Sequence, residues 1–378
     1  MAELELLGGV REVPREAWNA LVGEGSPFLE WEWLASLEES GALGRRSGWT
    51  PCPLVAREGG RLVAACPLYL KAHSEGEFVF DHGWAEAAER AGIAYYPKLL
   101  VGVPFTPVTG GRLLTAPEVE RAAWLPRLAA GLRELCRAHA LSGVHVNFCL
   151  DDEGAALAEA GFLPRLGLQY HWSNSGYGEL QDFLARLRSK RRNQIARERR
   201  TLAARGVAIE THAGDDIPED AFGALFDLYS STVDKHPWGR RYLNRRFFEL
   251  LRQRFRSRLH LVLAREAGRI VAGAINVRKA GVLYGRYWGA LREIRNLHFE
   301  ICYYRAIEHC IDEGLQRFEP GAGGDFKQMR GFDAIPTRSL HFLAEPRLHH
   351  AVARFLDAER AEAARAIDWL REHSALKA

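Results

Sequence analysis

The chain has no apolar run long enough to cross a bilayer. Its longest, such as Leu99–Val103, falls far short of the roughly 20 residues that a spanning helix needs. Its start, Met1-Ala2-Glu3-Leu4-Glu5, is acidic and lacks the basic and apolar segments of a secretory signal. A cytoplasmic location is therefore expected. Cysteine is sparse: six in 378 residues, with no C-x-x-C pair and no H-E-x-x-H. Cys52, Cys66, Cys136, Cys149, Cys302 and Cys310 sit mostly in apolar stretches, where a thiol packs as a small hydrophobe. Neither a disulfide framework nor a metal site is expected. Lysine is scarce beside arginine, 7 against 44, and a net charge of +3 on this length selects no class of partner.

What is present describes an ordinary globular protein, 47% hydrophobic and 26% charged. Its length is comfortable for two cores. An internal repeat supplies them. Ala56-Arg57-Glu58-Gly59-Gly60-Arg61-Leu62-Val63-Ala64-Ala65 matches Ala264-Arg265-Glu266-Ala267-Gly268-Arg269-Ile270-Val271-Ala272-Gly273 at seven of ten positions. Each segment predicts a β-hairpin. Further on, Gly161-Phe162 and Gln169-Tyr170-His171-Trp172 match Gly331-Phe332 and Ser339-Leu340-His341-Phe342, both at an offset of 170 residues. The hairpins are offset by 208, which implies extra material in the first half, placed at about 76–109.

Each half thus predicts helix, hairpin, strand, helix, strand, helix and strand, a mixed α/β sheet (α+β in its segregation) with helices packed on it. In the second half, helices are expected at Asp220–Asp234, Leu243–Phe255 and Leu297–Glu313. Strands are expected at Leu259–Arg265, Arg269–Arg278, Val282–Ala290 and Arg317–Pro320. A last helix, about Pro346–Glu372, carries Leu348, Val352, Phe355, Leu356, Ala363, Ile367 and Leu370 at helical spacing. The domains expected are 1–175 with the insert, 176–345 opening on a basic helix, and a C-terminal helix at 346–378.

The order of elements resembles the acetyltransferase-like (GNAT) fold, twice in tandem. The segment Ser189-Lys190-Arg191-Arg192-Asn193-Gln194-Ile195-Ala196-Arg197-Glu198, leading to Arg205-Gly206-Val207, resembles the basic helix of Fem-type peptidoglycan-bridge aminoacyltransferases. Further segments resemble a bacterial FemAB-like branch of predicted N-acyltransferases. They are Phe28-Leu29-Glu30-Trp31-Glu32, Pro67-Leu68-Tyr69-Leu70-Lys71-Ala72-His73-Ser74, Tyr95-Tyr96-Pro97-Lys98-Leu99 and Pro104-Phe105-Thr106-Pro107-Val108-Thr109-Gly110. Asp234-Lys235-His236-Pro237-Trp238, Leu283-Tyr284-Gly285-Arg286-Tyr287-Trp288-Gly289, Leu297-His298-Phe299-Glu300 and Glu319-Pro320-Gly321-Ala322 continue the likeness. The branch follows E-P-G-A with Q-G-E-H-K. Here Gly323-Gly324-Asp325-Phe326-Lys327 stands there, so the histidine is absent and Asp325 replaces the longer carboxylate.

The resemblance implies an N-acyltransferase that joins an activated acyl group to an amine. Such chemistry needs a proton acceptor, donors for the oxyanion and a proton for the leaving group. Glu319 at a strand end is the expected general base, with His298, Glu300 and Tyr287 as further catalytic candidates. Glu300 near a helix start also complements the helix dipole, and Tyr287 in an aromatic run also suits packing. Motif residues Lys71, His73, Tyr96, Lys98, Thr106, Lys235, His236, Trp238, Arg286, Asp325, Lys327 and Arg330 are expected to bind substrate. Four of the scarce lysines, Lys71, Lys98, Lys235 and Lys327, lie in these motifs, as a need for a compact ammonium would place them. For the donor, Arg292 and Arg295 would pair with phosphate, and Gly321 and Gly323 would let a pantetheine arm approach the backbone. The usual glycine-rich pyrophosphate loop is missing from Gly289-Ala290-Leu291-Arg292-Glu293-Ile294-Arg295-Asn296.

The expected donor is acyl-CoA or an acyl carrier thioester, with no metal, and the acceptor a small-molecule or lipid amine. Arg186–Arg205 carries nine Lys/Arg and one acid, Glu198. It is either a solvated helix between domains or a contact for transfer RNA or an anionic membrane surface, the latter on the inner face. Fem-type transfer from aminoacyl-tRNA is one alternative. A non-catalytic lipid- or nucleic-acid-binding protein is the other.

Overall fold

The computed structural model describes residues 3–235 and 239–377. The chain forms two compact units. The first holds the chain up to Gly167 together with Pro336–Arg365, and the second holds Leu168–Ile335 together with the residues from Ala366 onward.

The first unit contains β1 (Glu3–Leu6), β2 (Trp49–Pro51), β3 (Leu54–Glu58), β4 (Arg61–Cys66), β5 (Leu68–Lys71), β6 (Lys98–Val101), β7 (Leu114–Thr115) and β8 (Gly143–Asn147). β9 (Leu163–Ser173) begins in it. One sheet has the order β1-β3-β4-β7, and the other runs β2-β5-β6-β8. The helix Arg121–Ala138 presents Trp124, Leu125, Leu128, Ala129, Leu132 and Cys136 at three- and four-residue spacing. They pack with Leu54, Val63, Val144 and Val146 in the unit's core.

The second unit contains β10 (Ala208–Ala213), β11 (Leu259–Glu266), β12 (Arg269–Lys279), β13 (Val282–Ala290) and β14 (Arg317–Glu319). β15 (Asp333–Leu343) begins there. β10 to β13 are successively antiparallel. β13 and β14 run parallel. The repeat is exact at the hairpins in one respect. The β3–β4 ladder shifts register between Ala56 and Arg57, and the β11–β12 ladder shifts between Ala264 and Arg265, the equivalent pair. Both turns use two residues at positive φ, Gly59-Gly60 and Ala267-Gly268, as a two-residue hairpin turn requires.

The closing strands are exchanged. The end of β9 pairs with β14 through Arg317↔Ser173 and Phe318↔Trp172, inside the second unit. The end of β15 pairs with β8 from Ser339↔Asn147 to Leu343↔Gly143, inside the first. The units therefore differ from the consecutive division at 175/176. Two strands with the same pattern fit either sheet, and the pattern alone does not choose between them. The C-terminal helix Pro346–Glu372 is divided too. Its Leu348, Val352 and Leu356 pack on Trp84, Ala88 and Tyr95 in the first unit, while Phe355, expected in the apolar stripe, is 52% exposed.

In the second unit the helix Glu219–Val233 lies on β13. Its Ser231 hydroxyl accepts from the Ala290 N–H at 3.0 Å, and Thr232 donates to the Trp288 carbonyl. Gly289 makes this approach possible, because a Cβ there would fall on the Leu228 backbone. Gly289→Ala is expected to destabilise the unit by about 1–3 kcal/mol, the usual cost of overpacking. Urea unfolding followed by fluorescence checks this; an unchanged midpoint would show that the helix can move away freely.

Candidate active site

β13 and β14 pair over only three residues, ending at Tyr284↔Glu319. β13 continues to Ala290, whereas Pro320 follows β14 and has no N–H to extend the ladder. The two strands part at Glu319, and the crevice beyond such strand ends is where open α/β sheets take ligands. A bulge lies at the same level. Tyr287 pairs with Ile275 and Gly285 with Asn276, so Arg286 is the extra residue, turned out of the regular alternation. Gly285 permits the close passage of the next loop, since a Cβ there would come 3.2 Å from the Pro320 backbone.

On β14, Phe318 faces the core against Phe332, with ring centroids 5.7 Å apart. Arg317 and Glu319 share the other face by strand alternation. The β9 register places His171 level with Glu319. Glu319 is 4% exposed. Its Oε1 lies 2.9 Å from Arg317 Nε, and its Oε2 has no hydrogen-bond partner among the described residues. His171 Nε2, likewise unpartnered among them, stands 3.7 Å from that Oε2, too far for a direct hydrogen bond. Burial pushes the Glu319 carboxyl up to about 7, against the pull of Arg317. Burial pushes His171 down to about 3, helped by the charges of Arg317 and Lys327. His171 is therefore neutral near pH 7 and forms no ion pair with Glu319.

The loop after β14 is held from within. Lys327, 3% exposed, donates to the carbonyls of Gly321 at 2.6 Å and Ala322 at 3.3 Å. Burial lowers its ammonium to about 8. Gly321 and Gly323 have φ of 88° and 71°, values that side chains disfavour. His298 sits between Trp288 and Tyr303, with ring centroids at 5.1 and 5.4 Å, just before a π-helical turn at Glu300–Tyr304. Such wide turns recur at functional sites. Burial, with Arg330 and Lys327 adding to it, lowers His298 to about 4, so its ring is neutral. The Tyr287 hydroxyl is buried with no hydrogen-bond partner among the described residues, its ring 5.3 Å from that of Tyr229.

Other candidates are engaged in structure. Glu300 accepts two-pronged bonds from Arg199 at 3.0–3.2 Å and meets Arg305 at 3.2 Å. Arg330 donates to Glu198 at 2.9 Å and to the Tyr304 hydroxyl at 2.9 Å, over the Phe299 ring. These contacts lock the basic helix Ser189–Ala203 to the helix and loop beside the crevice. Arg286 lies 5.1 Å from the Tyr287 ring centroid. Arg292 is exposed and paired with Glu266 at 2.7 Å, and Arg295 is exposed. Lys235 is exposed. His236 and Trp238 lie outside the described residues, as does the Asp325 side chain.

Lys71, His73, Tyr96, Lys98 and Thr106 belong to the first unit, and Glu319 to the second. Lys98 is fully buried and donates to Ser74 at 2.9 Å, Glu77 at 3.0 Å and Asp81. Lys71 donates to the Glu75 carbonyl at 3.1 Å beneath the Trp49 ring. Tyr96 bonds Ser74 at 2.7 Å, Thr106 donates to the Pro104 carbonyl, and His73 Nδ1 accepts from the Glu75 N–H. Among the described residues, no three His, Cys, Asp or Glu side chains are grouped to hold a metal. Sequence reasoning missed His171 and Arg317 as neighbours of Glu319. The i, i+2 spacing on one strand could have found Arg317, but His171 required knowledge of the strand exchange.

The second unit thus holds a buried carboxyl where two parallel strands part, and the two units share a hairpin with the same register shift. The FemAB-like family model, described as peptidoglycan biosynthesis/recognition, matches residues 9–378, and the chain belongs to that family. Among solved structures it is similar to FemX at 11% identity, covering 90% of this chain and 98% of that one, with a TM-score of 0.55. It is also similar to L-PGS from Bacillus licheniformis, at 9% identity, 91% and 97% coverage and a TM-score of 0.53. A conserved protein of unknown function from Bacteroides thetaiotaomicron matches at 11% identity, 90% and 100% coverage and a TM-score of 0.53. At such identities these likenesses concern the fold. No curated protein sequence matches the chain.

Proposed function

We propose that the chain moves an acyl group from a thioester donor, acyl-CoA or an acyl carrier, onto the amine of a small molecule or lipid. One observation carries this reading: Glu319, buried where β13 and β14 part, has its carboxyl held near pH 7. A base of that strength is ionised in part at neutral pH and still takes a proton readily. The amine nitrogen attacks the donor carbonyl, a C–N bond forms and the C–S bond breaks. The surplus proton passes to Glu319, the sulfur leaves as a thiolate, and the same proton, returned from Glu319 through solvent, completes the thiol. β13 runs on past Tyr284 without β14 beside it, so backbone N–H groups on that edge can meet the developing oxyanion. Exposed Arg295, at the exit of β13, would pair with donor phosphates, as would Arg292 on leaving Glu266.

A second reading uses aminoacyl-tRNA as donor. It is favoured by the basic helix, where Arg199 is taken up by Glu300 but Lys190, Arg197 and Arg200 remain exposed. The family description favours a peptidoglycan precursor as acceptor in that case. The same cations would suit an anionic membrane surface; no described helix is long and apolar enough to cross one.

Labelled acetyl-CoA and charged transfer RNA, each offered with a panel of amines, separate the readings. The expected result is acylated amine and released CoA, with weak salt dependence. Consumption of charged transfer RNA alone, falling with a log–log salt slope of about 0.7 per phosphate contacted, would favour the second. Consumption of neither of these, nor of an acyl carrier thioester offered in the same way, would leave a binding protein and overturn both.

A further inference from the structure

We propose that His171 and Glu319 form a two-acceptor cradle that selects a primary amine as the acyl acceptor and fixes the direction of its attack. The inference rests on the reading of Glu319 as the base. Its own ground is the pair of unpartnered atoms. Glu319 Oε2 and His171 Nε2 are both buried, both without a hydrogen-bond partner among the described residues, and 3.7 Å apart. The side chains of Glu319 and His171 are 5% and 9% exposed. An unmet buried acceptor costs about 1–3 kcal/mol, so two of them facing each other mark a place for a donor from outside.

The spacing suits a nitrogen. A donor held about 2.9 Å from each atom bridges them with ordinary hydrogen-bond lengths. Two acceptors stand off from each other, as this pair does, whereas an Nε2–H facing a carboxylate would close to about 2.8 Å. His171 thus carries its proton on Nδ1 and offers the Nε2 lone pair.

A neutral primary amine has two N–H bonds and one lone pair. One hydrogen goes to Glu319 Oε2 and the other to His171 Nε2, which leaves the lone pair pointing away from both, towards the donor carbonyl. As the C–N bond forms, the nitrogen turns positive. Glu319 takes its proton, and the amide N–H that remains stays on His171. A secondary amine fills only one acceptor and leaves the other buried and unmet. Tertiary amines fill neither and cannot form an amide.

The strand exchange is what makes the cradle. Glu319 ends β14, and His171 comes from β9, the strand that closes the first half in sequence and pairs with β14 in space. Arg317 holds the other carboxylate oxygen at 2.9 Å, which keeps Oε2 turned towards His171.

The test follows the histidine ring nitrogens of the full chain by isotope-edited NMR, with His171 assigned by its loss in His171→Gln. Methylamine and the tetramethylammonium ion, which has no N–H at any pH, are the probes, added above pH 7. Methylamine is expected to shift the His171 Nε2 signal, and tetramethylammonium to leave it in place. With any primary amine that proves to be a substrate, His171→Ala should lower the preference over its N-methyl counterpart roughly 3- to 10-fold, one neutral hydrogen bond. His171→Gln, whose amide oxygen can accept, should restore part of it. A His171 signal unmoved by methylamine, or an unchanged preference in a folded His171→Ala, overturns the cradle while leaving Glu319 as base. Wild-type turnover in Glu319→Gln instead removes the base, whatever His171 does.

Discussion

Glu319→Gln is expected to lower turnover roughly 10²-fold or more while leaving the fold intact, the range for loss of a general base. The variant keeps the shape and removes the proton acceptor. The wild type should show kcat/KM rising with pH through about 7, where the Glu319 carboxyl ionises, and levelling above it. Arg317 on the same strand, His171 on β9, Tyr284 on β13 and Lys327 from the following loop are the polar groups that surround this chemistry. The rising limb should vanish in the Gln variant. Stability should respond in the opposite sense. A carboxyl raised above its unfolded value favours the fold below about 4.5, and that contribution is lost as pH rises through about 7. Above pH 7 the Gln variant should therefore be more stable than the wild type. A pH–rate profile and thermal melts across the same range check both statements. A variant with wild-type turnover would make Glu319 structural.

Lys98→Met is expected to cost about 3–5 kcal/mol in the first unit, because it leaves the buried Asp81 carboxylate without its cation and Glu77 with only Lys71, 3.9 Å away. Burial disfavours the Lys98 charge, but Glu77 and Asp81 outweigh that and hold its ammonium above the ordinary value. Burial likewise opposes the Asp81 charge, yet Lys98 holds its carboxyl well below the usual range. Tyr95 donates to the same Asp81 oxygen at 2.6 Å, which ties the helix His82–Arg90 and strand β6 to one network. Denaturant unfolding at neutral pH reads the loss. A Lys98→Met chain with the wild-type midpoint would show that water reaches the carboxylates once the ammonium is gone.

Much of the fold is legible in the residues themselves. The matched hairpins share their turn conformation and the position of their register shift, because both follow from local chain geometry. The mixed sheet and the long C-terminal helix follow from periodicity. The candidate site is less legible. Glu319 stands out because Pro320 and the glycines after it end a strand. Glu300 and Arg330 look equally available, yet Arg199 and Glu198, more than a hundred residues earlier, engage them. Ion pairs across such separations leave no local pattern. Lys71, Lys98 and Lys327 are buried, with their ammonium groups on carbonyls and carboxylates. Scarcity singled these lysines out, but scarcity says nothing of which partner each one meets. His171 was visible only as half of a repeated pair, and the repeat assigned it to the wrong sheet for recognising its neighbour.

The exchange of β9 and β15 also bears on how the protein is made. The first unit lacks the strand beside β8 until residues 339–343 have been synthesised. A ribosome-bound chain that has completed β8 and β9 therefore carries an open edge through nearly half of its translation, the kind of edge that invites mispairing. Completion of the first unit's sheet must then wait for the late half of the chain, and a chaperone that shields β8 in the interval is expected to raise the yield of folded protein.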